Sequence, residues 1–265
     1  MKIKSFSSPV NLSKQNFISF LTYINMIPPS HPRYESLMLR EKIAEGVEKG
    51  IVHITGLIAH GRGEAFDYLL GEKTHLFADM AAKAAASWIM NAEHPVISIN
   101  GNSAVLAGKE IIELAEKTGA VMEVNLFHRS EERVEKIIKF LEEMGGKNIL
   151  GMEGDARIEG LEHERAICSR EGIYKGDVIL VPLEDGDRCE ALKKMGKRVI
   201  AIDLNPLSRT ARKADITIVD NIVRAIPNIK RHCEDVKEEI KEWDNEKNLQ
   251  DALNFICNRL RNLSL

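Results

Sequence analysis

Residues 177–205 constrain the fold more than any other stretch, because they pack two short β-branched runs into a space that leaves room for only one helix between them. Asp177-Val178-Ile179-Leu180-Val181-Pro182 reads as a buried strand, and Leu183-Glu184-Asp185-Gly186-Asp187-Arg188 as a glycine turn opening a helix that runs to Met195. After the Gly196 stop, Arg198-Val199-Ile200-Ala201-Ile202 reads as a second strand ending in Asp203-Leu204-Asn205-Pro206. Both strands therefore deliver polar residues to one edge of a sheet. In open α/β sheets that edge holds ligands, because helix N-termini and loop backbones converge there.

The same alternation extends on both sides. Residues 95–99 predict the first strand, followed by a helix to Thr118; residues 121–126 predict a second, ending in Asn125, His128 and Arg129 before a helix over 131–144. Residues 148–152 are a candidate third strand, and 216–219 the last. The expected fold is α/β: a doubly wound, mostly parallel, Rossmann-like sheet with helices on both faces. No strand is followed by G-x-G-x-x-G, so the dinucleotide fingerprint is absent.

Three segments depart from this pattern. Residues 1–29 read as an N-terminal helical arm, with Leu12, Phe17, Phe20, Leu21, Ile24 and Ile27 on one face and a stop at Pro28-Pro29. Ser30 is placed to cap the next helix, with Pro32 in its first turn. Residues 153–176 form a polar insertion, read as a flap near the site, in which 166–169 and 172–174 are expected to pair as a hairpin around Arg170-Glu171. Residues 228–265 carry two helical apolar stripes, suited either to packing on the body, residues 30–227, or to a dimer contact.

A net charge of −3 with mixed signs throughout argues against a sequence-independent nucleic-acid binder. The longest apolar run, residues 84–90, is too short to span a bilayer, and the first ten residues lack the apolar core of a signal peptide. A soluble cytoplasmic protein is expected, without nucleic-acid or membrane partners. The four cysteines, Cys168, Cys189, Cys233 and Cys257, have no metal-binding or redox spacing, and no protein-held metal site is predicted.

Candidate site residues gather at the strand ends: Asn100, Asn102, Asn125, His128, Arg129, Asp185, Asp187, Arg188, Asp203, Asn205, Asp220 and Asn221. Each has an ordinary reading as a cap or turn residue, but their recurrence at nearly every strand end favours a ligand-binding rim. Gly61-Arg62-Gly63 reads either as a place where backbone approaches a ligand under a guanidinium, or as a glycine-weakened helix with an exposed arginine. Asp185 and Asp187 would repel a phosphate set directly on their turn; ribose hydroxyls, Mg²⁺ or a substrate ammonium suit them better. Phosphates would need arginines, for which Arg40, Arg62, Arg129, Arg188 and Arg209 are available. His53, His75, His94 and His232 read as surface or satisfied core groups, whereas His60, His128 and His163 sit beside arginines in polar stretches.

Read together, Ser30-His31-Pro32-Arg33-Tyr34, Leu39-Arg40-Glu41-Lys42, residues 56–68, Ser98-Ile99-Asn100-Gly101-Asn102, Asn125-Leu126-Phe127, Gly160-Leu161-Glu162-His163-Glu164-Arg165 and residues 182–188, 202–209 and 214–224 resemble the archaeal 4-phosphopantoate:β-alanine ligases, or phosphopantothenate synthetases. The resemblance covers about residues 30–227, and Cys189 stands where threonine or serine is expected. It implies a nucleotide-binding catalytic domain that uses ATP and Mg²⁺ to join 4-phosphopantoate and β-alanine, releasing AMP and diphosphate through an acyl-adenylate on the way to coenzyme A. A homodimer is implied as well. By similarity Arg40, Arg62, Asp185, Gly186, Asp187, Arg188, Asp203, Leu204 and Asn205 are expected around ATP, with Arg62, Asp187 and Arg188 carrying the chemistry. Strand-end geometry suggests Asn100, Asn102, Asn125, His128 and Arg129 for the phosphopantoate side. Two other classes remain open: a different nucleotide-dependent Rossmann-like enzyme, and a non-catalytic nucleotide sensor.

Overall fold

The computed structural model describes residues 27–162, 164–236 and 239–263. The N-terminal arm expected over residues 1–29 therefore lies almost wholly outside the described residues, as does His163. The chain divides into two compact units, Met1–Glu41 and Lys42–Leu265. In the first, Ser30 does not cap the following helix. The His31 amide donates to the Pro28 carbonyl (2.8 Å), and the His31 ring accepts from the Arg33 amide (3.0 Å). This turn delays α1 to Tyr34–Glu48.

The larger unit is built on five parallel strands: β1 Pro95–Ile99, β2 Val121–Val124, β5 Val178–Pro182, β6 Arg198–Ile202 and β7 Ile216–Ile218. Their order across the sheet is β2-β1-β5-β6-β7. Winding runs outward in opposite directions from the β1–β5 seam, so a crevice opens where those two strands end. Helices cover the sheet: α2 Thr55–Leu70, α3 Leu76–Met90, α4 Gly101–Thr118, α5 Glu131–Glu143, α6 Gly186–Lys194, α7 Arg209–Lys213, α8 Ile222–His232 and α9 Asn245–Arg261.

The strand sequences are apolar at nearly every position because both faces are buried. Alternation assigns Val96, Ile179, Val181, Val199 and Ala201 to one face, where they pack with Cys189 and Leu192 of α6 and with Ile158 and Ile173 of the insertion. The other parity, including Ile97, Leu180, Ile200 and Ile216, is fully buried on the opposite face. Contacts of α3 and α4 with α8, and of α3 with β7, build that second layer.

Two local expectations need correction. Residues 148–152 form no strand; Leu150 makes a single parallel bridge to Glu123, and the positive φ of Asn148 and Gly151 on either side stops it extending. The insertion is not a 166–174 hairpin either. β4 Ile167–Cys168 pairs antiparallel with β3 Ala156–Arg157, and Arg170–Tyr174 winds as a single π turn. Glu123 explains the turn: its buried carboxylate accepts the amides of Ser169 (3.0 Å) and Ile173 (2.7 Å), drawing the backbone round it. Burial raises the Glu123 carboxyl above its usual range even so.

At the C-terminus, Leu249, Ala252 and Ile256 of α9 pack against Leu70, Leu204, Ala211 and Val219. The Asn245 and Asn248 side chains donate to backbone carbonyls of Ala211, Ala214 and Thr217, fixing the helix to the β7 edge. This half of the second apolar stripe is buried in the body, while Leu260 and Leu263 remain exposed.

Candidate active site

A cleft of about 730 Å³ opens where the parallel strands end, with lining residues contributed by α2, the start of α4, and the segments following β1, β2, β5 and β6. After β1, Asn100 caps α4. Its side chain accepts from the Ser103 amide (3.0 Å) while its own amide donates to Ser103 Oγ (2.9 Å). The Asn100 side-chain nitrogen, Nδ2, donates to the carbonyls of Pro182 (3.0 Å) and Leu183 (3.3 Å), stapling the β1 and β5 ends across the crevice. Leu183 takes up a left-handed backbone (φ 55°) at this point. Asn102 donates to the Gly56 carbonyl (3.0 Å) and so ties α4 to α2. Gly101 admits no side chain: a Cβ there would stand 2.3 Å from the Ile51 carbonyl oxygen.

The turn after β5 is crossed by arginines. Arg165 pairs with Asp185 (2.5 Å) and Asp187 (3.5 Å), and Arg209 pairs with Asp187. Asp185 opens α6 without making a side-chain cap, so its carboxylate is committed to Arg165 instead. Gly186 is required by a close approach, since a Cβ would lie 2.4 Å from that of Arg209. Arg188 points away from the cleft. It is 1 % exposed, bonded to Glu184 and to Ser98 Oγ (3.2 and 3.3 Å), and so braces the turn from beneath.

After β6, Asp203 accepts from the Asn205 amide (2.9 Å) and from Ser208 Oγ. Burial pushes the Asp203 carboxyl above its ordinary range, against those hydrogen bonds and the charge of Arg62. Leu204 supplies an apolar wall that α9 buttresses from behind, and Asn205 holds the Leu207 amide (2.9 Å). Arg62 reaches the cleft from α2 and has no hydrogen-bond or ion-pair partner among the described residues. Nothing lies within 4 Å of a Cβ built on Gly61, and Gly63 meets only Leu204 at 3.5 Å, so α2 is a regular helix and leaves open space beside that guanidinium.

After β2, Asn125 is 3 % exposed and lines the cleft; its amide nitrogen donates to the Ile167 carbonyl (2.8 Å), and its buried Oδ1 accepts nothing among the described residues. His128 lies on the cleft wall, stacked on His53 with ring centroids 4.0 Å apart, and Arg133 flanks them.

The strand-end residues thus separate into two groups. Arg62, Asn100, Asn102, Asn125, His128, Asp185, Gly186, Asp187, Asp203, Leu204, Asn205 and Arg209 meet in one cleft. Outside it, Arg129 donates to the Gly151 carbonyl (2.6 Å), and Asp220 and Asn221 belong to a buried network with Asp67 and Arg224. Arg40 sits on α1 in the N-terminal unit. Cys189 does not line the cleft: it is buried on α6, where burial pushes its thiol up to about 12.

Two cleft-lining side chains, His53 and Arg133, escaped the sequence reading, as did the pairing of Arg165 with the turn after β5. Arg165 carried a signal, the charged insertion around it. Arg133 resembled any helix-surface arginine, and His53 stood alone. No cluster of three or more potential metal ligands occurs among the described residues. Asp185 and Asp187 do fit Mg²⁺, which takes one or two carboxylates and completes its shell with phosphates and water.

Residues 77–259 match the family described as phosphopantothenate/pantothenate synthetase. The chain is 56 % identical over 247 residues to a 4-phosphopantoate–β-alanine ligase of Thermococcus kodakarensis, covering 90 % of this chain and 95 % of that protein. It is 51 % identical over 246 residues to the protein of that name from Methanosarcina mazei, covering 90 % and 97 %.

Proposed function

The chain belongs to the phosphopantothenate/pantothenate synthetase family, and on that premise we propose that it condenses 4-phosphopantoate with β-alanine to 4'-phosphopantothenate, with ATP cleaved to AMP and diphosphate, in coenzyme A synthesis. A cleft that holds both an unpartnered arginine and a carboxylate turn already bridged by arginines is the observation that carries the reading. Two polyanions cannot be brought together in a low-dielectric site unless fixed cations offset their repulsion.

In this reading ATP occupies the β5–β6 side. Asp203, Leu204 and Asn205 bind the nucleoside, Arg62 binds its phosphates, and Asp185 and Asp187 would hold Mg²⁺ on the turn that Gly186 keeps thin. Mg²⁺, when bound, neutralises charge on the departing diphosphate. As nucleotide and metal arrive, Arg165 and Arg209 exchange their carboxylate partners for phosphate oxygens. Arg188 acts through Glu184 as a positioning residue.

Asn100, Asn102, Asn125 and His128 line the 4-phosphopantoate side, with Arg129 bracing the loop behind His128. The pantoate carboxylate attacks the α-phosphorus and displaces diphosphate; the β-alanine amine then attacks the acyl carbon and displaces AMP. No enzyme nucleophile is needed, because orientation and electrostatic stabilisation suffice. The working protein is a cytoplasmic homodimer with residues 30–227 as the catalytic domain and residues 228–265 as a helical segment on it.

Product analysis tests the reaction. Incubation with ATP, Mg²⁺, 4-phosphopantoate and β-alanine should yield AMP and diphosphate in step with amide. ADP and phosphate would mean an acyl-phosphate route, and no product would overturn the reading.

A further inference from the structure

Asn100, Asn102 and Asn125 are neutral, so the acid side of the cleft needs a cationic group if it is to read a phosphoryl dianion. We propose that His53 and His128, held in register by Arg133, form the subsite that recognises the phosphoryl group of the acid substrate. The inference rests on the reaction proposed above and assigns a specificity determinant within it.

Four observations converge. His53 and His128 stack at 4.0 Å with 30° between their planes, although they come from segments 75 positions apart, before α2 and after β2. Arg133 locks those segments together: one guanidinium nitrogen donates to the His128 carbonyl and another to the Ile51 carbonyl (3.1 Å), while its buried Nε has no partner among the described residues. The Thr55 amide donates to His53 Nδ1 (3.3 Å) and Thr55 Oγ1 lies 2.8 Å from the same nitrogen, so Nδ1 is engaged by Thr55 and Nε2 is the ring nitrogen left to face a ligand. Finally, the amides of Gly101 and Asn102 open the 18-residue α4 on the same wall, adding donors that have no carbonyl inside the helix.

Gathering two imidazoles and a guanidinium is unfavourable by itself. Burial, followed by the nearby His128 and Arg133, holds His53 below its usual range. A phosphate dianion removes that repulsion, whereas a hydroxyl in its place does not. The subsite also lies on the β1–β2 side of the crevice, across the β5 turn from Arg62 and Asp203. The acid's phosphate therefore has its own cations and does not compete with those of the nucleotide. Asn125 Oδ1, fixed by the bond its nitrogen makes, faces the remainder of the acid as an acceptor for a hydroxyl.

The test compares the wild type with His53→Gln, His128→Gln and the double variant, using 4-phosphopantoate and pantoate as alternative acids. The double variant should lose about 100-fold in kcat/KM for 4-phosphopantoate, with KM for ATP and the residual rate with pantoate little changed. Retained preference for the phosphorylated acid, or an equal loss towards ATP and both acids, would overturn the proposal. A second readout does not need turnover: titrating ¹⁵N-histidine-labelled wild type with 4-phosphopantoate should shift two ring-nitrogen signals, assigned by their loss in the single variants, and pantoate should not. Silent rings in an enzyme that turns over defeat the subsite alone. Responsive rings in a protein that forms no product defeat the ligase reading and leave the subsite standing.

Discussion

The two ends of β5 carry carboxylates in opposite circumstances. At its leading end Asp177 accepts from the amides of Glu93 (2.8 Å), His94 (2.9 Å) and Val178 (2.9 Å), joining the start of β5 to the loop before β1. At its trailing end Asp185 and Asp187 face the side chains of Arg165 and Arg209. Backbone donors stay in place while the chain is folded, whereas long cationic side chains can change partner within nanoseconds. One strand thus spends a carboxylate on architecture at its start and keeps two exchangeable ones where the cleft opens.

The sharpest way to break this contrast is Arg188→Ala, which removes the buried brace beneath the trailing turn and leaves Glu184 with the Asp185 amide but without its ion-pair partner. A loss of about 3–5 kcal/mol of unfolding free energy is expected by denaturant titration. A smaller loss would mean the turn holds itself. Next come the exchangeable charges: Arg62→Ala should lower kcat/KM by about 100–1,000-fold and Asp187→Asn somewhat less, with the thermal midpoint nearly unchanged in both. Equal damage to activity and stability would place them with Asp177.

Conversely, Asp177→Asn should cost about 1.5–3 kcal/mol of stability while each folded molecule keeps its activity. The finest distinction is in pH. Burial raises the Asp177 carboxyl, but the amides of Glu93, His94 and Val178 outweigh it and hold the group below its ordinary 3.8. A depressed carboxyl stabilises the fold fully above its unfolded value, and that contribution disappears as pH falls through the folded one. Acid unfolding of Asp177→Asn followed below pH 4 should therefore be less steep than that of the wild type; parallel curves would remove Asp177 from the account.

Elements defined by periodicity were legible in the chain itself: the β-branched runs of β1, β5 and β6 and the apolar stripe of α9 follow from local pattern. Strand order was not, because a parallel sheet fixes neighbours through crossovers whose direction depends on packing rather than on any one residue. The insertion misled for a similar reason. Its π turn is wound by Glu123, some fifty positions earlier, and nothing near Arg170 announces that. Among site residues, polar groups immediately after strands were easy to nominate, but sequence could not distinguish Arg188 from Arg209. Both follow a strand end and both are cationic; one turns inward onto Ser98 and the other outward onto Asp187.

Gly101 and Gly61 look interchangeable on paper, yet they set opposite limits on how this protein can vary. With the Ile51 oxygen in the space a methyl would need, position 101 is closed to every other amino acid, and a saturation library there should return only glycine among folded clones. Position 61 has no such neighbour, so the packed interior places no bar on a side chain there.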